Sequence, residues 1–150
     1  KGNPYFEATD IEIKRGGRSY TIETVRALMA EGYADISLIL GSDSFNAITT
    51  WCEYETLLTL ASFVVVERPG HAVKKPAEAL PVELARKFWY DAKAGCYLNS
   101  FGKSLCYVPT TAIGISASGV RDLVKGGLSV KYLVPAAVEE FIAAKGLYKD

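Results

Sequence analysis

Two short apolar runs form the centre of the hydrophobic pattern of this chain. The first, residues 36–40, stops at Gly41, and the second, residues 63–66, lies inside the segment 62–67. Continuous apolar runs of this length, rich in β-branched residues, are typical of parallel strands that are buried on both faces. Helical spacing from residue 53 to about residue 60 separates them. The pattern therefore predicts a strand, helix and strand within a parallel sheet, which is an α/β fold.

The chain before the first run predicts a strand and then a helix. Residues 5–14 alternate apolar and polar side chains with one interruption, which predicts a strand whose register the pattern leaves open. From Arg18 onward the spacing is helical, with an apolar face made of Ile22, Val25, Leu28 and Met29. Ser19 and Thr21 are the candidate N-caps of this helix, and Gly32 ends it.

After the second apolar run, the hydrophobic pattern predicts a mixture of loop, helix and strand. Residues 71–80 have the composition of a loop, whereas residues 81–94 and 135–145 predict helices and residues 105–108 predict a short strand. The apolar positions of the two helices are Leu84, Phe88 and Ala92 in the first and Val138, Phe141 and Ile142 in the second. No repeat or linker interrupts the chain, so we expect residues 1–150 to form a single domain.

Composition narrows the class of protein. The chain has 150 residues, 49% of them hydrophobic, which is enough for one globular domain with one core. Its 17 basic and 17 acidic residues cancel, so no global charge attracts nucleic acid or an anionic membrane surface. No apolar run approaches the roughly 18 residues of a membrane span, and the first residues lack the apolar core of a signal peptide. We therefore expect a cytoplasmic protein without nucleic-acid or membrane partners.

The cysteines and the single histidine offer little chemistry. Cys52, Cys96 and Cys106 are odd in number and lack the C-x-x-C spacing of a zinc or redox site. This pattern predicts three free thiols rather than a disulfide framework. His71 follows an Arg-Pro-Gly turn, where a histidine is more often a solvated bystander than a base.

The end of the first apolar run carries the first candidate for chemistry. In open α/β sheets, ligands bind outside the carboxyl ends of the strands, where Gly41 would let a ligand approach the backbone and the Asp43 carboxylate would take up ribose hydroxyls. Trp51 would lie on the same side if the segment between were helical, and its flat ring would suit a stacked base. The structural alternative has equal weight: Asp43 caps a helix and Trp51 anchors the core.

Two further features predict contacts with phosphate. Arg68 follows the second apolar run, so it would lie at the same edge of a parallel sheet as the first candidate residues. Ser116 and Ser118 mark a helix N-terminus, where N–H groups and the helix dipole favour an anion, and Arg121 adds a charged side chain in the first turn. The alternatives are an ordinary turn at Arg68 and an ordinary serine cap followed by a solvent-exposed arginine.

Several sequence motifs follow one another along the chain. They are SYT with Thr24 nearby, GSDSFNAITTW up to Trp51, VVVERPG, ISASGVR up to Arg121, and the closing LVPAAVEEFIAAKGLY. Together they resemble the carboxy-terminal two thirds of the bacterial nicotinate-nucleotide adenylyltransferases, with similarity from about Phe6 to Tyr148. The resemblance implies a Rossmann-like nucleotidyltransferase fold and transfer of the AMP part of ATP to nicotinate mononucleotide, which gives deamido-NAD and pyrophosphate.

The resemblance also implies roles for residues on the mononucleotide side. Trp51 would stack on the nicotinate ring. Thr21 and the backbone N–H of Cys52 would hold the nicotinate carboxylate; relatives often have tyrosine in place of Cys52, and a backbone donor tolerates that change. Arg68 would contact the same substrate as a weaker match.

On the ATP side, the resemblance implies that Asp43, beside Gly41, binds the adenosine ribose. Ser116, Ser118 and Arg121 would receive the ATP phosphates, and Ser118 and Arg121 are the candidates for the catalytic contacts. No protein nucleophile is needed, because a phosphate oxygen of the mononucleotide attacks the α-phosphorus of ATP and the site only aligns the groups and neutralises charge. Mg²⁺ bound with ATP is the expected cofactor, and no separate metal site is expected.

One motif of the family is absent from the 150 residues: G-x-F-D-P-x-H-x-G-H, whose histidines contact the ATP phosphates in the family. We therefore expect the chain to be an incomplete and inactive portion of the enzyme, with exposed sheet edges that favour self-association or a homo-oligomer. One alternative is a non-catalytic nucleotide-binding or structural module of the same fold. Another is a related enzyme such as phosphopantetheine adenylyltransferase, which Thr21 and Trp51 disfavour.

Overall fold

A computed structural model of the chain describes residues 3–67, 72–111 and 114–149. Its contacts divide the chain into two compact units, Lys1–Thr110 and Thr111–Asp150, which are described separately below. The strands of the first unit are β1 (Ser37–Gly41), β2 (Ser62–Glu67), β3 (Phe88–Asp91), β4 (Cys96–Asn99) and β5 (Ser104–Pro109). Its helices are α1 (Ile11–Arg15), α2 (Thr21–Ala30), α3 (Ser42–Asn46), a 3-10 turn (Ile48–Thr50), α4 (Tyr54–Leu60), α5 (Pro76–Ala79) and α6 (Val82–Ala85).

The described strands form one mixed sheet in the order β1-β2-β5-β4-β3. Strand β2 runs parallel to both β1 and β5, which confirms the predicted parallel strands and the α/β class. Strand β4 runs antiparallel to both β5 and β3, so the sheet is mostly rather than wholly parallel. The carboxyl ends of β1 and β2 lie side by side, because Gly41 pairs with Val66.

The core of the first unit lies on one face of this sheet. Phe63, Val65 and Leu105 point to that face, and the helices cover it with Ile22, Val25, Phe45, Ile48, Leu57 and Leu58. Since alternate strand residues point to opposite faces, the neighbouring positions lie on the other side, where Ile39 is 76% exposed. The prediction that the first apolar run is buried on both faces is therefore wrong for β1, although its parallel pairing is confirmed.

The first helices differ from the pattern in their details. Residues 5–14 contain no strand; the chain is irregular until α1 begins at Ile11. The predicted helix is present as α2, but its N-cap is Tyr20 and no side chain caps it, so neither Ser19 nor Thr21 has the predicted capping role. On its predicted apolar face Ile22 and Val25 are buried, whereas Met29 is exposed.

The largest error of the sequence pattern concerns residues 81–94. The predicted helix lasts only one turn, as α6, and the chain then enters the antiparallel hairpin of β3 and β4. The carboxylate of Asp91 accepts hydrogen bonds from the N–H groups of Lys93 and Ala94, at 2.8 and 3.1 Å, and Gly95 completes the turn with a φ of 66°. Local turn chemistry therefore outweighs the helical spacing. The loop predicted for residues 71–80 likewise contains α5.

The hairpin overturns the prediction of three free thiols. Cys96 on β4 and Cys106 on β5 form a disulfide, and Cys52 is an exposed free cysteine. Counting cysteines could not reveal this pair, because the strand that carries Cys96 was not predicted. The register places Tyr97 opposite Leu105, so Cys96 lies directly opposite Cys106.

The second unit contains two helices, α7 (Ala117–Lys125) and α8 (Ala136–Lys145). Both confirm the sequence pattern, and α7 begins where the serine-rich motif predicted a helix N-terminus. Val120, Val130 and Ile142 are buried, whereas Val138 and Phe141, predicted for the apolar face of α8, are exposed. Among the described residues of both units, no helix is long and apolar enough to cross a membrane.

Candidate functional site

A cavity of about 230 Å³ in the first unit brings together three residues of the predicted site. Thr21, Trp51 and Cys52 line it, together with Ser19, Tyr20 and Thr50. One wall comes from the start of α2 and the other from the chain that leads from the 3-10 turn into α4. The cavity is smaller than the roughly 300 to 1,000 Å³ of sites that enclose a whole drug-sized ligand, so it can hold only part of a ligand of that size.

The first turn of α2 presents hydrogen-bond donors to this cavity. Thr21 is the first residue of this ten-residue helix. The N–H groups of Glu23 and Thr24 donate to the carbonyl of Tyr20, whereas those of Thr21 and Ile22 precede these bonds. Backbone donors at a helix N-terminus, together with the helix dipole, favour a negatively charged group. This wall of the cavity can therefore bind a carboxylate.

The opposite wall is a sharp corner at Trp51 and Cys52. Trp51 is half-buried and packs against the hydrophobic core. Its backbone N–H donates to the carbonyl of Ile48 at 2.9 Å. Cys52 is exposed. Glu53, the next residue, has φ 48° and ψ 40°, a left-handed conformation that residues with a Cβ seldom adopt. The corner thus combines an anchored aromatic ring with an exposed backbone segment.

An ion pair joins the two chain segments that form these walls. Arg26 of α2 donates to both carboxylate oxygens of Glu53, from Nη1 to Oε1 at 2.9 Å and from Nη2 to Oε2 at 2.6 Å. The hydrogen bond with Arg26 lowers the pKa of Glu53, and the same bond raises the pKa of Arg26. No sequence pattern indicates this pair, because the two residues are 27 positions apart and belong to no common motif.

Gly41 and Asp43 occupy the predicted edge of the sheet. Gly41 is the last residue of β1, and Asp43 is an exposed residue in the first turn of α3. A Cβ at Gly41 would stand 2.5 Å from Oδ1 of Asp43, so only glycine allows the observed position of this carboxylate. The segment between Asp43 and Trp51 is not one helix, because α3 ends at Asn46. The condition for placing Trp51 on the same side as Asp43, a continuous helix between them, is therefore not met, and neither Gly41 nor Asp43 lines the cavity at Trp51.

The third group of predicted residues lies in the second unit. Ser116 is the N-cap of α7, and its hydroxyl accepts a hydrogen bond from the N–H of Gly119 at 3.0 Å. The hydroxyl oxygens of Ser116 and Ser118 are 3.1 Å apart. Ser116 and the exposed Arg121 line the same cavity of about 270 Å³. The serine cap of the structural alternative is thus present, and the first-turn N–H groups of Ala117 and Ser118 precede the helical hydrogen bonds.

Arg68 and His71 lie outside the described residues, but the chain that follows them is firmly held. The side chain of Asn46 donates to the carbonyl of Ala72 at 2.7 Å and accepts from the N–H of Lys74 at 3.0 Å. The hydroxyl of Tyr107 donates to the carbonyl of Lys74 at 2.9 Å. Burial raises the pKa of Tyr107, which keeps this donor protonated.

No group of three or more His, Cys, Asp or Glu side chains that could hold a metal ion occurs within residues 3–67, 72–111 and 114–149. Three further residues that line the cavity at Trp51 were not predicted as site residues: Ser19, Tyr20 and Thr50. Ser19 and Tyr20 adjoin Thr21 in the SYT motif, which was the available signal. No sequence feature identified Thr50 as a site residue. Its hydroxyl donates to the carbonyl of Ala47 at 2.8 Å.

Curated relatives match nearly the whole chain. It is 44% identical over 150 residues to the probable nicotinate-nucleotide adenylyltransferase of Citrifermentans bemidjiense, an alignment that covers 99% of the chain and 69% of that relative. The probable nicotinate-nucleotide adenylyltransferase of Geobacter sp. strain M21 is 42% identical over 149 residues, with 99% and 69% covered. No protein-family model matches the chain.

Solved structures with a similar fold share little sequence. The nicotinic acid mononucleotide adenylyltransferase of Plasmodium falciparum complexed with NaAD has a TM-score of 0.57 at 15% identity, covering 87% of this chain and 58% of that chain. The same enzyme complexed with APC has a TM-score of 0.52 at 16% identity, covering 88% and 58%. This likeness confirms the Rossmann-like fold that the sequence predicted.

Proposed function

The chain belongs to the nicotinate-nucleotide adenylyltransferase family, and from this premise we propose that it supplies the mononucleotide pocket and part of the ATP site of an enzyme that makes deamido-NAD and pyrophosphate. Members of the family are nucleotidyltransferases of NAD biosynthesis. The chain spans 69% of the length of these relatives. We assign both units to one nucleotidyltransferase domain and place the protein in the cytoplasm.

The cavity at Thr21, Trp51 and Cys52 is the observation that carries this proposal. The Trp51 ring offers an apolar face for the nicotinate ring. The N–H groups at the start of α2, the Thr21 hydroxyl and the backbone N–H of Cys52 offer donors for the carboxylate of that ring. Hydrogen bonds to a charged acceptor are stronger than those to a neutral one. These donors therefore favour the acid form of the pyridine over the amide form.

The ATP contacts are assigned in each unit separately. We assign the ribose to Asp43 beside Gly41, and the phosphates to Ser116, Ser118 and Arg121, where serine hydroxyls, helix N–H groups and a guanidinium occur within residues 116–121 at the start of α7.

Arg68 would add a positive charge near the mononucleotide phosphate. A phosphate oxygen of the mononucleotide then attacks the α-phosphorus of ATP, and the bond between the α-phosphorus and the oxygen that bridges to the β-phosphate breaks. Pyrophosphate leaves with its charge neutralised by the serine hydroxyls, the N–H groups of α7 and the arginine.

A divalent metal enters with the nucleotide in this proposal. The described residues hold no cluster of three metal ligands, so Mg²⁺ would be bound mainly by the phosphates of ATP and brought in as the MgATP substrate. It would supply charge neutralisation at the transferred phosphate. The protein residues bind and orient the two substrates around it.

Calorimetric titration with two mononucleotides tests the proposal. Nicotinate mononucleotide should bind more tightly than nicotinamide mononucleotide, because only the acid offers a charged acceptor to the start of α2. Thr21→Val, which removes the hydroxyl while keeping the side-chain volume, should narrow that preference. Equal affinity for the two compounds, or no binding of either, would overturn the assignment of the cavity.

A further inference from the structure

We propose that Arg26 and Glu53 form a positioning pair that sets the width of the mononucleotide cavity. The pair ties the corner at Trp51 and Cys52 to the helix whose first turn contains Thr21. This inference rests on the proposed function, because it assigns to the pair the task of holding the two walls of the pyridine pocket at a fixed distance.

The contact has the geometry of a clamp. Both terminal nitrogens of Arg26 meet both oxygens of Glu53, at 2.9 and 2.6 Å. A two-point contact of this kind fixes the relative orientation of the groups as well as their distance. Arg26 lies in the middle of α2, and Glu53 directly follows Cys52. The clamp thus connects the two chain segments that line the cavity.

The backbone at Glu53 explains why a clamp is needed there. Its left-handed conformation is unfavourable for a residue with a Cβ, so surrounding contacts must hold it. Glu53 is also the N-cap of α4, yet its side chain makes no capping hydrogen bond to that helix. Both carboxylate oxygens bind Arg26 instead. The Glu53 side chain therefore stabilises the corner through Arg26 and does not cap α4.

Stability of the whole unit is a weaker explanation for the pair. The two side chains are 48% and 45% exposed, and ion pairs with this degree of exposure contribute little to the free energy of folding. The effect should appear locally, in the mobility of the corner and in ligand affinity, because these depend on the distance between the two walls.

Single substitutions separate a positional role from a purely electrostatic one. If the pair acted only through charge, Glu53→Gln would expose the positive charge of Arg26 and strengthen binding of an anionic mononucleotide, while Arg26→Gln would weaken it. If the pair holds the corner in place, both substitutions weaken binding. The exchanged pair Arg26→Glu with Glu53→Arg should then recover part of the lost affinity.

The test combines a ligand titration with a ligand-free measurement on the full chain. Calorimetry with nicotinate mononucleotide should show about fivefold weaker binding for Arg26→Gln and for Glu53→Gln, the scale of coupling between residues in contact. Hydrogen exchange followed by NMR should show faster exchange of the amides of residues 51–53 in both variants. The matched control is Arg86→Gln, which removes the exposed ion pair with Glu83 on α6, outside the cavity, and should change neither result.

Three outcomes overturn the inference or part of it. Unchanged affinity and unchanged amide exchange in both variants would overturn the positioning role. Opposite effects of the two substitutions on affinity would replace it with an electrostatic role. Faster amide exchange in a chain that binds no nicotinate mononucleotide at all would refute the proposed function of the cavity while leaving the clamp as a structural device.

Discussion

Cys96 and Cys106 lie directly opposite each other on the antiparallel strands β4 and β5, with Cα atoms 4.5 Å apart, and their sulfur atoms are bonded. This Cα separation is typical of antiparallel positions whose backbones do not hydrogen-bond to each other. The disulfide closes a loop of sequence separation 10. It therefore links the β3–β4 hairpin covalently to the parallel part of the sheet.

The first prediction is that removal of this disulfide destabilises the first unit. Closing a loop of this size in the unfolded chain corresponds to about 2 to 3 kcal/mol, so Cys96→Ser with Cys106→Ser should lower the free energy of unfolding by about that amount in urea titrations. Cys52→Ser, at an exposed free cysteine, is the matched control and should stay within about 0.5 kcal/mol of the original chain. Three reactive thiols per native, unreduced chain would contradict the pairing.

The same hairpin shows where sequence patterns reach their limit. Residues 36–40 and 63–66 indicate their strands because an apolar run of this length is typical of a parallel strand, and that signal is local. Strands β3 and β4 are short, and their stability comes from pairing with each other and from the pairing of β4 with β5 rather than from their own composition. The helical spacing of Leu84 and Phe88 was therefore misleading.

The candidate site likewise combines features that one chain segment encodes with features that depend on contacts between segments. Thr21, Trp51 and Cys52 were predicted from motifs and lie around one cavity, because each motif fixes its own segment of chain. The pairing of Arg26 with Glu53 depends on how α2 packs near α4, which no single segment encodes. The predicted residues Gly41 and Asp43 lie together at the end of β1, since a Gly turn after an apolar strand is a local signal.

The second prediction concerns Gly41→Ala. The added Cβ would stand 2.5 Å from Oδ1 of Asp43 and force the carboxylate to rotate away from its observed position. Binding of MgATP should weaken about tenfold, the scale of one hydrogen bond to a charged group, while binding of nicotinate mononucleotide stays unchanged. Gly126→Ala is the control, because its Cβ would meet only Asp122 O at 3.4 Å and Leu123 O at 3.6 Å among backbone atoms. Unchanged MgATP affinity in Gly41→Ala would remove Asp43 from the ribose site.

The third prediction is a pH dependence at Glu53. Its hydrogen bond with Arg26 lowers the pKa of Glu53 below the ordinary value of 4.5. The folded state then favours the charged carboxylate, so the pair contributes fully above pH 4.5 and is lost as the pH falls through the lowered pKa. An NMR titration of the Glu53 carboxyl carbon should give a midpoint below 4.5 that returns towards 4.5 in Arg26→Gln. The same midpoint in both proteins would show that the ion pair does not form in solution.

The fourth prediction separates the two substrates. Trp51→Ala should weaken the binding of nicotinate mononucleotide more than the binding of MgATP, because aromatic stacking on a base contributes about 1 to 3 kcal/mol. Arg121→Ala should have the reverse effect, since a guanidinium contact to phosphate lies in a similar range. Calorimetry with each substrate on each variant decides the matter. Equal losses for both substrates in both variants would mean that the two subsites are wrongly assigned.

The last prediction concerns turnover by the 150 residues alone. They lack the G-x-F-D-P-x-H-x-G-H motif, whose histidines the family resemblance assigns to the ATP phosphates. Loss of one preorganised donor typically costs about 10² to 10³ in rate, so loss of several should reduce pyrophosphate release from MgATP and nicotinate mononucleotide to near background. Fusing the corresponding segment of the Citrifermentans bemidjiense relative to the amino terminus should restore the reaction.

The sheet gives this experiment a second readout. Strand β1 is at the edge of the described sheet and exposes 76% of Ile39, a surface that favours self-association. Ile39→Lys should reduce self-association of the bare chain in sedimentation experiments without restoring turnover, because it adds no phosphate donor. Rapid turnover by the bare chain would show that Ser116, Ser118 and Arg121 suffice for the phosphates, and it would exclude a non-catalytic binding module. Loss of binding to both substrates even after fusion would instead show that the residues assigned here do not form the site.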